Sequence, residues 1–333
     1  MKIDSGLGPG LASVERRVRA AEQAGLDCLW ASETANDPFL SLALAAEHTE
    51  TVSLGTAIAI AFARNPMSTA YTTNQLQEYA RGRLVLGLGS QVRAHIEHRF
   101  GATWSHPVER MREYVLALRA IWASWNDGAP LAFEGSFYRH TLMTPLFTPP
   151  PHAYGPPSVF LAAVGPRMTE MAGEVADGVI THGLSSPAYL REVTLPSLER
   201  GLARSGRSRA DVEVTCPGFI AVADDDRHLE QARADMRRHV AFYASTPAYR
   251  PVLDVHGWGD AQPELHRLSK AGAWREMAGL IDDEMLDTFT IIGPHETLAS
   301  EVGRRYGGLV DRITVAWWKK EWWPPVGEEL RAL

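Results

Sequence analysis

Residues 53–101 read SLGTAIAIAFARNPMSTAYTTNQLQEYARGRLVLGLGSQVRAHIEHRFG, and this stretch carries the clearest structural pattern of the chain. An apolar run is followed by a break at Asn65-Pro66, an amphipathic segment, a Gly-Arg stop and a second apolar run. This order predicts a strand, a helix and a second strand parallel to the first. Polar residues then follow the second strand, and α/β enzymes place their sites at the carboxyl ends of parallel strands.

The same alternation of strand-like and helix-like segments extends along the whole chain. The clearest helix is 107–123, whose apolar residues follow a 3.6-residue period. Eight strands are predicted, nearly all followed by helices, and such units favour a closed (β/α)8 TIM-type barrel over an open sheet. The predicted strands are 2–6, 28–32, 52–60, 83–89, 159–164, 178–182, 212–222 and 312–317.

We expect a single α/β domain over residues 1–333, with insertions at about 126–157 and 240–285. The first segment is rich in proline, glycine and aromatic residues, which need something to pack on. The second lies in a mostly helical region that is longer than one crossover requires. The first segment is therefore expected to be an excursion of the domain and not a linker.

The composition excludes several classes of protein. The chain has 333 residues, 45% of them hydrophobic, and a net charge of −7, which argues against nucleic acid or an anionic membrane as the main partner. No apolar run approaches the ~18 residues of a membrane helix, and the N-terminus lacks a signal-peptide pattern, so we expect a cytoplasmic location. Cys28 and Cys216 lie in apolar runs and are expected to be reduced and buried.

The motifs give little support to a dinucleotide-binding fold or to a metal-dependent hydrolase. The segment Gly87–Val92 comes nearest to the dinucleotide fingerprint, but it lacks the third glycine and lies on the fourth strand, not after the first. A metal-dependent barrel hydrolase would need histidines at the end of an early strand, and the first strand has none. We therefore expect no metal site.

Five short motifs occur in order along the chain, at the second to the sixth predicted strands. Together they resemble the luciferase-like monooxygenase superfamily, and specifically its coenzyme F420-dependent branch. The resemblance covers essentially the whole chain and implies a TIM-type barrel, a homodimer and a flavin or deazaflavin at the C-terminal mouth. The motifs are Trp30-Ala31-Ser32-Glu33-Thr34, Leu54-Gly55-Thr56-Ala57-Ile58, the run from Gly82 to Ser90, Ala162-Ala163-Val164-Gly165-Pro166, and Ala176-Asp177-Gly178.

The resemblance places the ring of the cofactor against the end of the third strand. Ala57 and Ile58 can supply a flat apolar wall, and the resemblance implies a non-prolyl cis peptide bond between them. Ser90 stands where relatives that use F420 tend to have a small hydroxyl residue, whereas the FMN branch tends to have an arginine. Arg93 could fill that role a few residues later, so FMN stays as the alternative cofactor. Further expected cofactor contacts are Glu33, Thr34, His182 and Gly183.

The phosphate of the cofactor tail needs a separate site. The segment Val164-Gly165-Pro166-Arg167-Met168 leads from a strand directly into a helix, and free N–H groups at a helix N-terminus bind anions. Pro166 has no N–H group, so Gly165, Arg167 and Met168 would donate. The alternative is an ordinary strand-to-helix turn.

Glu33 and His95 are the candidates for proton transfer beside the substrate. Glu33 ends the second strand and could instead contact the cofactor or form a salt bridge at the rim. His95 could titrate near neutral pH and, in an extended segment, would share a face with Glu97. The same residues could equally form a short helix with a solvated face. Leu7 and Trp317 are the expected substrate-pocket residues.

The leading interpretation is an F420-dependent oxidoreductase that transfers a hydride between the deazaflavin and a small organic substrate. The first alternative is an FMN-dependent luciferase-like monooxygenase that uses reduced flavin and oxygen. The second is a non-catalytic flavin-binding barrel, because several related dehydrogenases carry a histidine where this chain has Thr34. The sequence predicts neither the substrate nor the direction of the reaction.

Overall fold

Eight parallel strands form a closed barrel in the computed structural model, which describes residues 1–315 and 323–333. Each strand pairs with the next, and the last pairs with the first, with Lys2 opposite Arg312. The predicted (β/α)8 barrel is therefore confirmed. The strands are β1 (Lys2–Gly6), β2 (Cys28–Ala31), β3 (Ser53–Thr56), β4 (Leu84–Gly89), β5 (Ser158–Ala162), β6 (Gly178–Ile180), β7 (Glu213–Cys216) and β8 (Arg312–Thr314).

Helices surround the barrel and also form a layer above the ends of β6 and β7. Asp37 and Asn65 cap two of them by accepting hydrogen bonds from the backbone, and a proline follows each cap, as such residues favour helix starts. No helix within residues 1–315 and 323–333 is long and apolar enough to span a bilayer. The helices are α1 (Val14–Gln23), α2 (Pro38–Glu47), α3 (Pro66–Tyr79), α4 (Arg93–His98), α5 (Pro107–Asn126), α6 (Pro166–Val175), α7 (Leu195–Ser205), α8 (Asp226–Ala244), α9 (Arg250–Asp254), α10 (Ala261–Ala271), α11 (Trp274–Gly279), α12 (Asp283–Phe289), α13 (His295–Tyr306) and α14 (Trp323–Ala332).

Short elements complete the secondary structure. Pro187–Tyr189 is a single helical turn that continues through the π-helical stretch Leu190–Thr194 into α7. Ala59–Ile60 pairs with the end of β4. The antiparallel pair Phe133–Glu134 and Arg139–His140 lies in the first expected insertion. The 3₁₀ helices are Leu11–Ser13, Ala61–Ala63, Pro145–Phe147, Arg209–Asp211 and Pro247–Tyr249.

The predicted strand 212–222 is two strands. Its first part is β7, whereas Phe219–Val222 leaves the barrel and pairs in parallel with Thr290–Gly293, a strand that the sequence did not predict. Pro217 lies between the two parts and has no N–H group to continue the ladder. The detour moves the chain outward, where α8 to α12 pack around a second core that also holds Leu184 and Tyr189. We propose that this layer and the segment before β5 are insertions in one barrel domain.

The barrel interior is filled by one face of each strand, while the other face packs against the helices. Cys28, Trp30, Phe160 and Ile180 form an apolar cluster inside the barrel, with the indole of Trp30 as its largest member. A Cβ atom on Gly55 would lie 2.3 Å from the ring of Trp30, so this position in β3 must be glycine. Cys28 and Cys216 are buried and free, as expected.

A buried ion pair joins the first and last strands. Asp4 and Arg312 point into the barrel, and the guanidinium donates to both carboxylate oxygens, at 2.7 and 2.8 Å. Trp30 Nε1 donates to the same carboxylate at 2.9 Å. Although burial lowers the pKa of Arg312, its hydrogen bonds and charge interaction with Asp4 raise it overall. Burial raises the pKa of Asp4 despite these contacts, whereas Arg312 keeps its charge at the seam where the barrel closes.

Candidate active site

The carboxyl rim of the barrel has a bulge after β3. The peptide bond between Ala57 and Ile58 is cis, as the resemblance implied, and it separates β3 from Ala59–Ile60. Both side chains are partly exposed at the rim. A Cβ atom on Gly89 would lie 2.8 Å from Ile58 Cδ1 and 3.5 Å from Ala162 Cβ. Ile58 therefore borders small residues of β4 and β5, and together they form a partly exposed apolar floor at the rim.

The end of β2 holds the bulge in place through four hydrogen bonds. Ala57 N donates to Ala31 O at 2.9 Å, and Glu33 N donates to Ile58 O at 3.2 Å. Ser32 Oγ donates to Ala57 O at 2.8 Å. The fourth bond runs from Ile60 N to the carboxylate of Glu33, at 2.7 Å. Residues 31–33 thus fix the backbone on both sides of the cis bond.

Glu33 is already occupied by two partners. Besides Ile60 N, its Oε2 accepts from the guanidinium of Arg64, which also donates to Asp37 at 2.8 Å. The Glu33 side chain is only 8% exposed. Although burial lowers the pKa of Arg64, its hydrogen bonds to Glu33 and Asp37 raise it overall. Of the roles considered for Glu33, this geometry favours a salt bridge that supports the bulge.

The other expected site residues, beyond β1, β2 and β4, differ in their exposure. Thr34 is exposed, and its carbonyl accepts a hydrogen bond from Arg99. Ser90 is half-buried, and its Oγ donates to Gln91 O at 3.2 Å. Leu7 is buried just past β1, where its N–H group donates to Trp30 O at 2.8 Å. Trp317 lies outside the described residues.

His95 lies on the short helix α4, so the extended alternative for this segment is wrong. Residues two apart in a helix do not face each other, and His95 is exposed whereas Glu97 is half-buried. Glu97 pairs instead with Arg93, one turn away, at 2.9 Å. The His95 side chain makes no hydrogen bond within the described residues. The structure therefore does not bring His95 and Glu97 together as an acid–base pair.

The expected phosphate site is the start of α6, directly after β5. Gly165 is the N-terminal cap, and no side chain caps this end within the described residues. A Cβ atom on Gly165 would meet no described atom within 4 Å, so the space beside this residue is open. Tyr189 donates to Val164 O at 2.9 Å. Arg167 is exposed and pairs with Glu109 at 2.8 Å, while Met168 is half-buried.

His182 ends the rim beyond β6, among aromatic side chains. Its ring stacks on Tyr249 at a centroid distance of 4.5 Å and contacts the edge of Tyr243 at 4.3 Å. Burial, and to a lesser extent the nearby His239, lower the pKa of His182 to about 4. Gly183 is also buried, and a Cβ atom there would lie 2.4 Å from Phe219. This side of the rim is therefore aromatic and closely packed.

Sequence reasoning missed Arg64 as the partner of Glu33 and Phe219 as part of the aromatic wall. The signal for Arg64 was present, because it is the one charged residue between the apolar run of β3 and the Asn65-Pro66 break. Phe219 gave no such signal, since it follows Pro217-Gly218 inside what looked like one continuous strand.

The chain is similar to known proteins, in sequence and in structure, over most of its length. The chain is 55% identical over 313 residues to an uncharacterised protein of Mycobacterium tuberculosis, covering 94% of this chain and 92% of that protein. It is 29% identical over 297 residues to the 5,10-methylenetetrahydromethanopterin reductase of Archaeoglobus fulgidus, covering 87% and 84%. Among solved structures, the coenzyme F420-dependent tetrahydromethanopterin reductase of Methanopyrus kandleri superposes with a TM-score of 0.80 at 22% identity, covering 100% of this chain and 98% of that one.

The family model described as luciferase-like monooxygenase matches residues 2–312, nearly the whole chain. The barrel, the bulge after β3 and the order of the five motifs agree with that match. The chain therefore belongs to the luciferase-like monooxygenase family.

Proposed function

We propose that this protein is an F420-dependent oxidoreductase that transfers a hydride between the deazaflavin and a small organic substrate. The observation that carries the proposal is the apolar floor at the rim, where the partly exposed Ile58 borders Gly89 and Ala162. A flat tricyclic ring fits such a floor. The names of the reductases from Archaeoglobus and Methanopyrus support a reductive role and, for the latter, coenzyme F420.

The residues around the floor fit the remaining parts of such a cofactor. Ala57 and Ile58 would contact the ring, and the open N-terminus of α6 would bind the phosphate through the N–H groups of Gly165, Arg167 and Met168. When bound, the cofactor supplies or accepts the hydride. The protein would hold the ring in one place and exclude water from it. The further contacts that we propose are Thr34, Ser90, Val164, His182 and Gly183.

The structure gives one reason to prefer F420 to FMN. An FMN site of this family would use an arginine near Ser90 for the phosphate. Arg93, the nearest candidate, is exposed and pairs with Glu97 on its own helix at 2.9 Å. The α6 terminus therefore remains the better phosphate site.

The proposal is tested by titrating the protein with reduced F420 and with reduced FMN, following fluorescence and oxygen uptake. We expect F420 to bind at micromolar concentration without oxygen consumption. Gly89→Leu, which fills the floor, should abolish binding, whereas Gly279→Leu on an exposed helix end should leave it unchanged. Tight FMN binding with oxygen uptake would instead establish the monooxygenase. Binding without turnover of any acceptor would indicate a non-catalytic flavin protein.

We also propose that the protein is a homodimer in the cytoplasm. Helix α2 exposes Leu40 and Leu44, which are 59% and 39% exposed, and Tyr79 at the end of α3 is 51% exposed. Leu40 and Tyr79 line one surface cavity between the two helices, and Leu44 lies one turn further along α2. Contiguous exposed apolar side chains of this kind mark interaction surfaces.

A further inference from the structure

Three polar side-chain atoms beside the end of β6 have no hydrogen-bond partner within residues 1–315 and 323–333. They are Nε2 of His182 and the hydroxyl oxygens of Tyr243 and Tyr249. None of the three atoms is fully buried, so each can reach a ligand or water. Their rings contact one another at centroid distances of 4.3 to 6.2 Å. The cluster therefore combines aromatic rings that pack against one another with unsatisfied polar tips at the same place.

The backbone decides which nitrogen of His182 carries the proton. Leu184 N donates to Nδ1 at 3.1 Å, so Nδ1 must keep its lone pair. In the neutral ring the proton is then on Nε2, which is a hydrogen-bond donor and not an acceptor. Nε2 of His182 therefore offers a donor of fixed direction at the rim.

The groups packed around His182 are all uncharged near neutral pH. Burial raises the pKa of Tyr249 to about 12 and also raises the pKa of Tyr243. Phe219 also contacts the cluster, and its ring carries no charge. His239 contacts the cluster from α8, and burial lowers its pKa, which favours the neutral ring. A charged ligand group would lose its hydration here without gaining a counter-ion.

His256 shows what a satisfied histidine looks like in the same layer. It stacks on Trp258 at 4.8 Å, but its Nε2 is bonded to Ser186 Oγ at 2.7 Å. Ser186 in turn accepts from Tyr189 N at 3.1 Å, so both side chains tie the loop after β6 to the helical layer. His182 has the same kind of aromatic packing without a partner for its Nε2.

We propose that His182, Tyr243 and Tyr249 form a substrate subsite for an uncharged planar ring that carries a hydrogen-bond acceptor, a carbonyl oxygen or a ring nitrogen. The ring would lie against this aromatic cluster at its polar tips, and its acceptor would take the hydrogen bond from His182 Nε2. The two hydroxyl groups would bind further polar atoms of the ring. This subsite rests on the proposed function, because it names the class of substrate for that reaction.

The test uses the full chain with ¹⁵N-labelled histidine and three probes of similar size, benzamide, benzoate and benzylammonium. Benzamide should shift the Nε2–H resonance of His182 saturably and leave that of His256 unchanged. The two charged probes should bind at least about tenfold more weakly. Tyr249→Phe, which keeps the ring and removes the hydroxyl group, should weaken benzamide binding about fivefold. His182→Phe should remove the response, and His98→Gln on exposed α4 should not.

Reduced-F420 binding to the same samples separates the two proposals. If F420 binds but benzamide leaves the His182 resonance unchanged, or if benzoate is preferred, the subsite is wrong and the proposed function stands. If benzamide shifts the resonance but neither F420 nor FMN binds, ring recognition at this cluster is supported and the proposed function is wrong. A His182 nitrogen signal of the Nδ1–H tautomer would also overturn the subsite.

Discussion

Glu33 shows how a carboxylate can serve a binding site without touching the substrate. Its Oε2 accepts from Ile60 N and from Arg64, so it secures the segment just beyond the bulge. The sequence placed Glu33 at the rim correctly, because its position at the end of an apolar strand is a local feature. It could not show the partner, since Arg64 comes from a different strand–helix connection and only the barrel brings the two together.

Glu33→Gln is therefore expected to weaken F420 binding about tenfold, with little change in the turnover of bound cofactor. The amide carries no charge and loses the ion pair with Arg64, so the backbone behind the ring becomes less well fixed. Asp37→Asn is the matched control, because it removes the other carboxylate on Arg64 without a contact to the bulge. Fluorescence titration gives Kd, and single-turnover kinetics give the rate. A large loss of rate with unchanged Kd would instead assign Glu33 to proton transfer.

His182 should make the stability of the fold depend on pH. Its pKa is about 4 in the folded protein, below the ordinary value of 6.5, so the unfolded chain binds more protons between these two pH values. Stability is thus fully present above pH 6.5 and falls as the pH drops toward 4, by about 2 kcal/mol at pH 5. Urea unfolding at pH 7 and pH 5 measures this loss. It should be smaller by about that amount in His182→Gln, which cannot be protonated; an equal loss in both proteins would contradict the pKa.

Helices with a clear hydrophobic period could be predicted from the sequence. Short elements whose structure depends on pairing with a distant segment could not. In α5 the residues at helical spacing, from Met111 to Trp122, are buried as the 3.6-residue pattern requires. By contrast, Thr290–Gly293 has four residues and follows a helix without a turn signal, so its strand character comes from pairing with Phe219–Val222. The segment Arg93–His98 was ambiguous because a single helical turn and an extended loop present similar residue patterns over so short a length.

Helix α2 carries the prediction that belongs to the element scale. Replacing Leu40 and Leu44 with Glu places two charges on its exposed apolar face, and we expect the proposed dimer to dissociate to a 36.7 kDa monomer. Size-exclusion chromatography with light scattering measures the mass. Leu142→Glu/Leu146→Glu is the matched control, because these leucines are 78% and 86% exposed but lie before β5. A double variant of α2 that keeps the mass of the wild type would place the interface elsewhere.

At the scale of the whole molecule, the closure of the barrel depends on contacts between the two ends of the chain. The eight-unit count predicted closure, but it could not identify the residues at the seam, since Asp4 and Arg312 are 308 positions apart. The pair is buried, and Trp30 shares its carboxylate, so the seam is linked to the aromatic core below the rim. A substitution that removes the Asp4–Arg312 pair should therefore lower the stability of the fold more than it changes ligand binding at the rim.

Arg312→Met is expected to destabilise the fold by about 3–5 kcal/mol, because it leaves the carboxylate of Asp4 buried without a counter-charge. Adding Asp4→Asn to that variant should restore part of the loss, since the amide can still accept from Trp30 Nε1 and carries no charge. Denaturant unfolding of the wild type, the two single variants and the double variant gives the coupling between the two residues. Losses that simply add would show that the two residues stabilise the strands separately and that the ion pair does not close the barrel.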